Sequence, residues 1–443
     1  MVERLSAYIS QQHLLPPDGQ EVLLAVSGGR DSVCMARLLH LMGVHFAVAH
    51  CNFGLRLDEC DRDEAFVRHL AEDYGADFHV ERYRTRAYAT EHGMSVEEAA
   101  RELRYDFFAR LCRRHGYPCV ATAHHQDDSI ETFFLNLFRG TGLAGLRGIR
   151  PVADIHGVKV VRPMLVFSRA DIDAYVQRNE LPYVEDSTNR LADIHRNRLR
   201  LQLMPMLQEF YPAVQHTMKE NIERLSETYQ VYADCVNNLR QKLLRPYNSV
   251  LPTISVPISA LDLEEVGGLM PKRTLLFELL RPYGVGADMV DDIILAMDHV
   301  QGQVFATENH RLTLHRNKLL IAPNTQPLAP SIGLQEVSPD SCLLASSPEH
   351  IFVDADKVKM PLQVRLWQRG DRFFPFGMDH RRLVSDFLTG LHLCRLEKEQ
   401  VWLLLDATGR VVWVVGLRAD NRFRVDPLTS RVLRITVEPT ELG

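Results

Sequence analysis

Four short apolar runs, at 22–26, 44–49, 78–82 and 119–123, alternate with stretches at 33–41, 58–74 and 95–115 whose apolar residues recur at helical spacing. Short runs of this kind read as strands and the longer periodic stretches as helices. The third helix opens on Ser95-Val96-Glu97-Glu98, in which Ser95 and Glu98 can satisfy each other's backbone donors. Strands that alternate with helices build a parallel sheet with right-handed crossovers, covered on both faces. The expected fold class is therefore α/β, a doubly wound parallel sheet. In such sheets ligands collect beyond the carboxyl ends of the strands, where the strand order reverses. Three polar segments, 27–32, 50–56 and 124–131, begin at those ends, so they should converge on one crevice.

Beyond 140 the pattern changes. A basic turn, Arg147-Gly148-Ile149-Arg150-Pro151, leads to a short strand at 158–161, a helix from Ser168, the segment 183–189 and a basic helix over about 196–210. Residues 212–244 form a long polar helical pattern that reads as a connector. Helical stretches near 275–280 and 289–297 precede a strand-like run at 311–321. A Pro-rich, uncharged stretch at 323–330 then marks a boundary. The remainder holds short strands at 362–367, 401–405 and 411–415. A chain of 443 residues is too long for one ordinary core. The expectation is a catalytic domain over 1–215, a mostly helical middle domain over 216–330 and a small β-rich domain over 331–443.

Composition narrows the class. With 46% hydrophobic and 24% charged residues the chain is globular. No apolar run approaches the roughly 20 residues of a bilayer span, and Met1-Val2-Glu3-Arg4-Leu5 does not look like the start of a secretion signal. The eight cysteines form no C-x-x-C pair and read as reduced thiols of a cytoplasmic protein. A formal net charge of −6 means that any nucleic-acid surface must be local.

The most informative chemistry follows the first strand. Ser27-Gly28-Gly29-Arg30-Asp31-Ser32 joins it to a helix. Backbone N–H groups and the positive end of that helix are thereby aimed at an anion. Two glycines bring the backbone close to phosphate oxygens, Ser27 and Ser32 offer hydroxyls, and Asp31 can hold a Mg²⁺ that bridges phosphates. The loop lacks the lysine of the Walker type. It resembles the pyrophosphate loop of N-type ATP pyrophosphatases, which cleave ATP between the α and β phosphates. Across the crevice lies His124-His125-Gln126-Asp127-Asp128-Ser129-Ile130-Glu131-Thr132. If a helix starts near Asp127, then His124, Asp128 and Glu131 share a face. Helix caps favoured by the dipole and a metal site are the alternatives to substrate handling.

The resemblance extends along nearly the whole chain. His50-Cys51-Asn52-Phe53-Gly54-Leu55-Arg56, Ala100-Arg101-Glu102-Leu103-Arg104-Tyr105 and the segment 123–132 look like motifs of the tRNA(Ile)-lysidine synthetase family. So do Arg139-Gly140-Thr141-Gly142-Leu143, Arg162-Pro163-Met164-Leu165, Glu185-Asp186-Ser187-Thr188-Asn189 and Arg196-Asn197-Arg198-Leu199-Arg200. Downstream, the segment 370–378 and Ser385-Asp386-Phe387-Leu388 resemble the family's C-terminal domain. Phe53 departs from the pattern, since many members carry histidine there.

This resemblance implies adenylation of the wobble cytidine of a CAU-anticodon isoleucine tRNA at its C2 oxygen, then attack by the ε-amine of free L-lysine with release of AMP. It implies ATP and Mg²⁺ as cofactors and the adenine nucleotide alpha hydrolase-like fold for the first domain. Asp31, Arg104 and Asp128 are then the expected catalytic residues, with Asp31 also the metal ligand. Ser27, Gly28, Gly29, Arg30, Asp31, Ser32, His50, Arg56 and His124 are expected to hold ATP. Arg101, Asp127, Asp128, Glu131, Arg196, Arg198 and Arg372 are expected to bind lysine or tRNA. Basic residues with Trp367, Phe373, Phe374 and Phe376 near the C-terminus suit RNA contact. A homodimer is compatible with the chain, whose sequence does not set the oligomeric state. The rival readings are a tRNA thiolase, which calls for thiolate or iron–sulfur ligands, an amide-forming ligase, and a sensor that holds ATP without reaction.

Overall fold

The computed structural model describes residues 1–55, 57–184, 194–297, 302–338 and 346–438. The chain divides into two compact units, Met1–Tyr232 and Ala233–Gly443.

The first unit runs α1 (Val2–Gln11), β1 (Val22–Ala25), α2 (Arg30–Leu41), β2 (Phe46–Asn52), α3 (Leu57–Asp73), β3 (Phe78–Arg82), α4 (Thr85–His92), α5 (Val96–His115), β4 (Val120–Ala121) and α6 (Gln126–Arg139). It continues with β5 (Val152–Ile155), β6 (Val158–Val161), α7 (Arg169–Arg178), α8 (Ile194–Arg198), a π-turn at Leu199–Leu203, α9 (Met204–Phe210) and, as far as Tyr232, α10 (Val214–Leu243). Side chains on β1 alternate between the two faces of the sheet, as a strand requires. Val22 and Leu24 join Val33, Met35 and Leu38 of α2 and Ile172 and Val176 of α7 in one core. Leu23 enters the opposite core with Phe107, Phe108 and Leu111 of α5. Both layers are thus covered, which is why the strand is apolar throughout.

The sheet order is β3-β2-β1-β4-β6-β5. It is parallel from β3 to β6. The order reverses at β1, so the crevice lies between the ends of β1 and β4, where the expected loops emerge. β5 was not anticipated. It is antiparallel to β6 through a turn at His156-Gly157, both with positive φ, the geometry of a tight hairpin. The expected capping box forms: Ser95 Oγ accepts from Glu98 N, and Glu98 accepts from Ser95 N.

In the second unit, helices at Leu263–Gly267, Lys272–Leu280 and Ala287–Met297 stand with a five-stranded sheet. The run expected as one strand over 311–321 is a hairpin, His310–His315 with Lys318–Pro323, turning at Arg316-Asn317, both at positive φ. The last hundred or so residues carry antiparallel sheets. The Pro-rich stretch at 323–330 does not interrupt packing within this unit. Leu251 lies in a core with Phe373, Val384 and Leu403, and buried Gln400 exchanges hydrogen bonds with both backbone groups of Val256.

Candidate active site

The loop after β1 has the conformation its glycines predict. Gly28 sits at φ +89°, and a Cβ there would come within 2.7 Å of Val184 Cγ2 and 3.2 Å of Val67 Cγ2. Gly29 precedes α2 with extended backbone and no side-chain cap, so the helix start is open to an anion. Ser27 and Ser32 hydroxyls lie 3.2 Å apart, and Ser32 Oγ donates to Gly29 O at 2.8 Å. Arg30 is turned aside: it donates to Asp173 at 2.6 Å and Tyr183 at 3.1 Å, stacking over the Tyr183 ring. Gly28→Ala should therefore raise the KM for ATP by tenfold or more, because the strained φ and the Val184 clash both act on the loop. ATP titration of the variant checks this; an unaltered KM would show that the loop does not hold phosphate.

A cavity of about 640 Å³ opens at the crevice. Ser27, Gly29, Asp31 and Ser32 line one side, His124, His125 and Asp128 the other, with Arg104, Arg169, Arg196 and Arg200 around the rim. Asp31 receives both its hydrogen bonds from Arg169 Nη1, each at 2.9 Å. His125, 2% exposed, stands among three carboxylates: its Nε2 is 3.5 Å from Asp128 and 3.9 Å from Asp31, its Nδ1 3.7 Å from Asp127. Burial disfavours its charged form, but the three acids outweigh burial and raise its pKa. At His124, one residue earlier, burial outweighs the pull of Asp128 and pushes the pKa down to about 4. Burial raises Asp31, while at Asp128 the neighbouring histidines overcome burial and lower the pKa. Adjacent groups pushed in opposite directions are the mark of a chemical site.

A second cavity, about 220 Å³, adjoins the first, with His125, Arg169 and Arg200 bordering both. Asp127 and Glu131 line it with Met204, Pro205 and Gln215. Glu131 is 3% exposed, and its Oε1 accepts from Arg200 Nε at 2.8 Å. Its Oε2 and His125 Nδ1 are buried without a hydrogen-bond partner among the described residues. Burial raises the Glu131 pKa against the pull of Arg200. Asp127 accepts from Arg169 N at 2.8 Å and from Gln215 at 3.2 Å.

The remaining expected residues divide. Arg104 lines the large cavity with its guanidinium over the Phe53 ring, which in turn stacks on Tyr83. Arg196 lines it too and lies 3.7 Å from Glu131. His50 is buried behind the loop, its Nδ1 2.9 Å from Val26 O, and burial lowers its pKa; it steadies the strand end instead of facing the cavity. Arg101 is exposed on α5 outside the lining, and Arg198 lines a separate groove. Arg372 is exposed on the second unit. Arg56 and the segment 185–189 lie outside the described residues. Sequence reasoning missed Arg169 altogether, kept Arg200 in a basic cluster for tRNA contact and gave His125 no role of its own. Arg200 sits in a quoted motif and His125 in the acidic one, so both were within reach; Arg169 carried no local signal.

Asp31 suits Mg²⁺ held mainly by phosphate oxygens and water. Its carboxylate faces the cavity, while the described residues contain no cluster of three or more His, Cys, Asp or Glu for an all-protein cage.

Comparison with known proteins agrees with the fold and the loop. Residues 3–207 match the family model of the PP-loop domain. Residues 258–324 match the TilS substrate binding domain and residues 362–435 the TilS substrate C-terminal domain. A tRNA(Ile)-lysidine synthase from Bacteroides thetaiotaomicron is 38% identical over 97% of this chain and 98% of its own length. One from Parabacteroides distasonis is 36% identical over 98% and 99%, and one from Porphyromonas gingivalis is 33% identical over 97% of each. No helix among the described residues is long and apolar enough to cross a membrane. With relatives of this identity along its whole length and all three domain models in order, the chain belongs to the tRNA(Ile)-lysidine synthase family.

Proposed function

We propose that this protein ligates free L-lysine to C2 of the wobble cytidine of the CAU-anticodon isoleucine tRNA, at the expense of ATP. The observation that carries the reading is the pair of joined cavities. One is faced by a phosphate loop, and the other is lined by a buried carboxylate with an oxygen that accepts no hydrogen bond among the described residues.

In the first step the C2 oxygen of cytidine attacks the α-phosphorus of ATP and the bond to pyrophosphate breaks. The loop N–H groups and the Ser27 and Ser32 hydroxyls take the phosphate charge, and Arg169 and Arg104 stand at the same cavity to share it. Mg²⁺, held by Asp31, would neutralise charge on the phosphates. In the second step the lysine amine attacks C2, the C–O bond breaks and AMP leaves, a hard substitution thus divided into two easier ones. Glu131 Oε2 offers the ammonium a charge-assisted bond in a space the size of a small amino acid. Asp128, which is held ionised, lines the large cavity 3.5 Å from His125, a residue that borders both cavities, and can take the proton that the amine must lose.

Thiolation fits less well. Cys51 lines the large cavity, but burial pushes its thiol up to about 12, far from a ready thiolate. Incubation with bacterial tRNA, ATP and labelled lysine, followed by nucleoside analysis, tests the proposal. Label in lysidine supports it; pyrophosphate release that needs no tRNA, or tRNA that takes up no lysine, overturns it.

For the tRNA we assign Arg369, Arg372 and Arg381 of the second unit, which are exposed and make no ion pair among the described residues. Arg365 is not among them, because Asp371 holds it with two bonds of 2.7 and 2.8 Å. Phe373 is core, while Phe376 is exposed. Each lost phosphate contact should flatten the dependence of log affinity on log salt by roughly 0.7 to 0.9. Arg372→Ala is expected to do so with ATP binding unaffected; an unchanged slope would leave Arg372 a solvated surface residue.

A further inference from the structure

A groove of about 620 Å³ lies beside the active site, between the C-terminal end of α6 and the π-turn with α9. Phe138, Leu203 and Met206 give it an apolar floor, and Arg139, Arg198 and Gln202 supply the polar groups. We propose that this groove holds an unpaired nucleotide of the RNA substrate, close in the strand to the reacting cytidine, with its base on Phe138 and its phosphates on Arg139 and Arg198. The inference rests on the function proposed above.

Three observations carry it. The first is exposure: Phe138 is 64% and Met206 51% exposed, and contiguous apolar surface of this kind marks a binding face. Phe138 is the outer member of a row of rings, with Phe134 5.9 Å away at 31° and Phe133 5.5 Å beyond that. Phe133 and Phe134 pack on the cluster of Ile130, Met204 and Ile222, so the platform is anchored. An anchored, solvent-facing ring accepts a base of any sequence by stacking.

The second is charge. No lining residue is acidic, two are arginines, and neither Arg139 nor Arg198 has an ion-pair partner among the described residues, in a chain of net charge −6. That selects a polyanion over an acceptor of basic peptides. It also disfavours a second copy of this chain, since a two-fold contact centred on the groove would set the arginines of the two copies against each other.

The third is continuity with the site. α6 bears Asp128 in its first turn and Phe138 near its end, and its 14 residues span about 21 Å. An unstacked strand covers this distance in a few nucleotides. The π-turn serves both places at once, because Arg198 just before it lines the groove while Arg200 within it reaches Glu131. Inserted π-turns of this kind recur at functional sites.

The test uses the full-length protein and a short RNA hairpin with a CAU loop, with affinity, ATP binding and sedimentation measured for Phe138→Ala, Phe138→Trp and Arg139→Ala. Phe138→Ala should weaken RNA binding on the order of tenfold, the loss of one stacked base. Phe138→Trp should keep it, Arg139→Ala should flatten the salt slope, and ATP affinity should be unchanged in all three. RNA affinity unchanged in Phe138→Ala overturns the proposal. So does a loss of affinity that tracks a change in oligomeric state, which would make the groove a contact between copies. Lysidine formation by the unaltered protein is scored in parallel. Its absence counts against the proposed function, whereas its presence with normal Phe138→Ala binding counts against the groove alone.

Discussion

Replacing Asp31 with alanine is expected to cut tRNA-dependent pyrophosphate release by at least a thousandfold while the protein stays folded. The size follows from position. Asp31 lies in the first turn of α2 at the open end of the phosphate loop, faces the large cavity and is the loop's only carboxylate. Removing one preorganised group that stabilises developing charge costs on the order of 10² to 10³ in rate, and here the divalent cation would lose its protein ligand as well. The variant also releases Arg169, whose Nη1 sits 2.9 Å from both Asp31 oxygens. Arg169 keeps Asp173 at 3.1 Å, and its side chain is 37% exposed, so water and that partner take up the freed charge. Stability should therefore change by no more than about 1 kcal/mol, as for a part-exposed ion pair. The measurement is pyrophosphate release beside a melting curve. Normal release in Asp31→Ala would remove the residue from the adenylation step, and a collapsed melting curve would show that its role is in the fold.

The ease of reading this site from sequence depended on how local each signal was. The strand–loop–helix unit at 22–41 announces itself because a buried strand, two glycines and a helix start are contiguous, and each needs the next. The same holds for Ser95 and Glu98, which cap their helix from three residues apart. Arg169 shows the opposite case. It is the first residue of an ordinary capped helix, and only the winding of the sheet brings it to Asp31, 138 positions earlier. β5 was hidden because its short alternating run depends on a two-residue turn for its identity. For His50 and Arg198 the placement was illegible for a further reason: residue type and motif membership do not give side-chain direction. His50 turns inward to the Val26 carbonyl, and Arg198 faces the groove while Arg200, two residues on, reaches the acids. Residues two apart on a helix point to opposite sides, so arginines of one motif need not share a site.

Glu131→Gln should lower kcat/KM for lysine about a hundredfold and change the KM for ATP by less than about twofold. Glutamine keeps the shape and an acceptor for Arg200, but it cannot offer a charged oxygen to an ammonium, and charge-assisted bonds are about twice as strong as neutral ones. The buried setting amplifies the difference, because Glu131 lines the small cavity and its Oε2 accepts no hydrogen bond among the described residues, with only the Arg196 guanidinium at 3.7 Å. ATP use should be spared, since Glu131 does not line the large cavity that the phosphate loop faces. A pH signature goes with this. Burial raises the Glu131 pKa, so the carboxylate is lost at a higher pH than for an ordinary glutamate. In the unaltered enzyme kcat/KM for lysine should rise with pH through that raised pKa and fall again as the pH drops below it. Glu131→Gln should remove this rise and leave the dependence on ATP as it was. Equal losses in the lysine and ATP constants would instead make Glu131 a support for Arg200. An unchanged pH profile in the variant would show that another group sets the ionisation on which lysine binding depends.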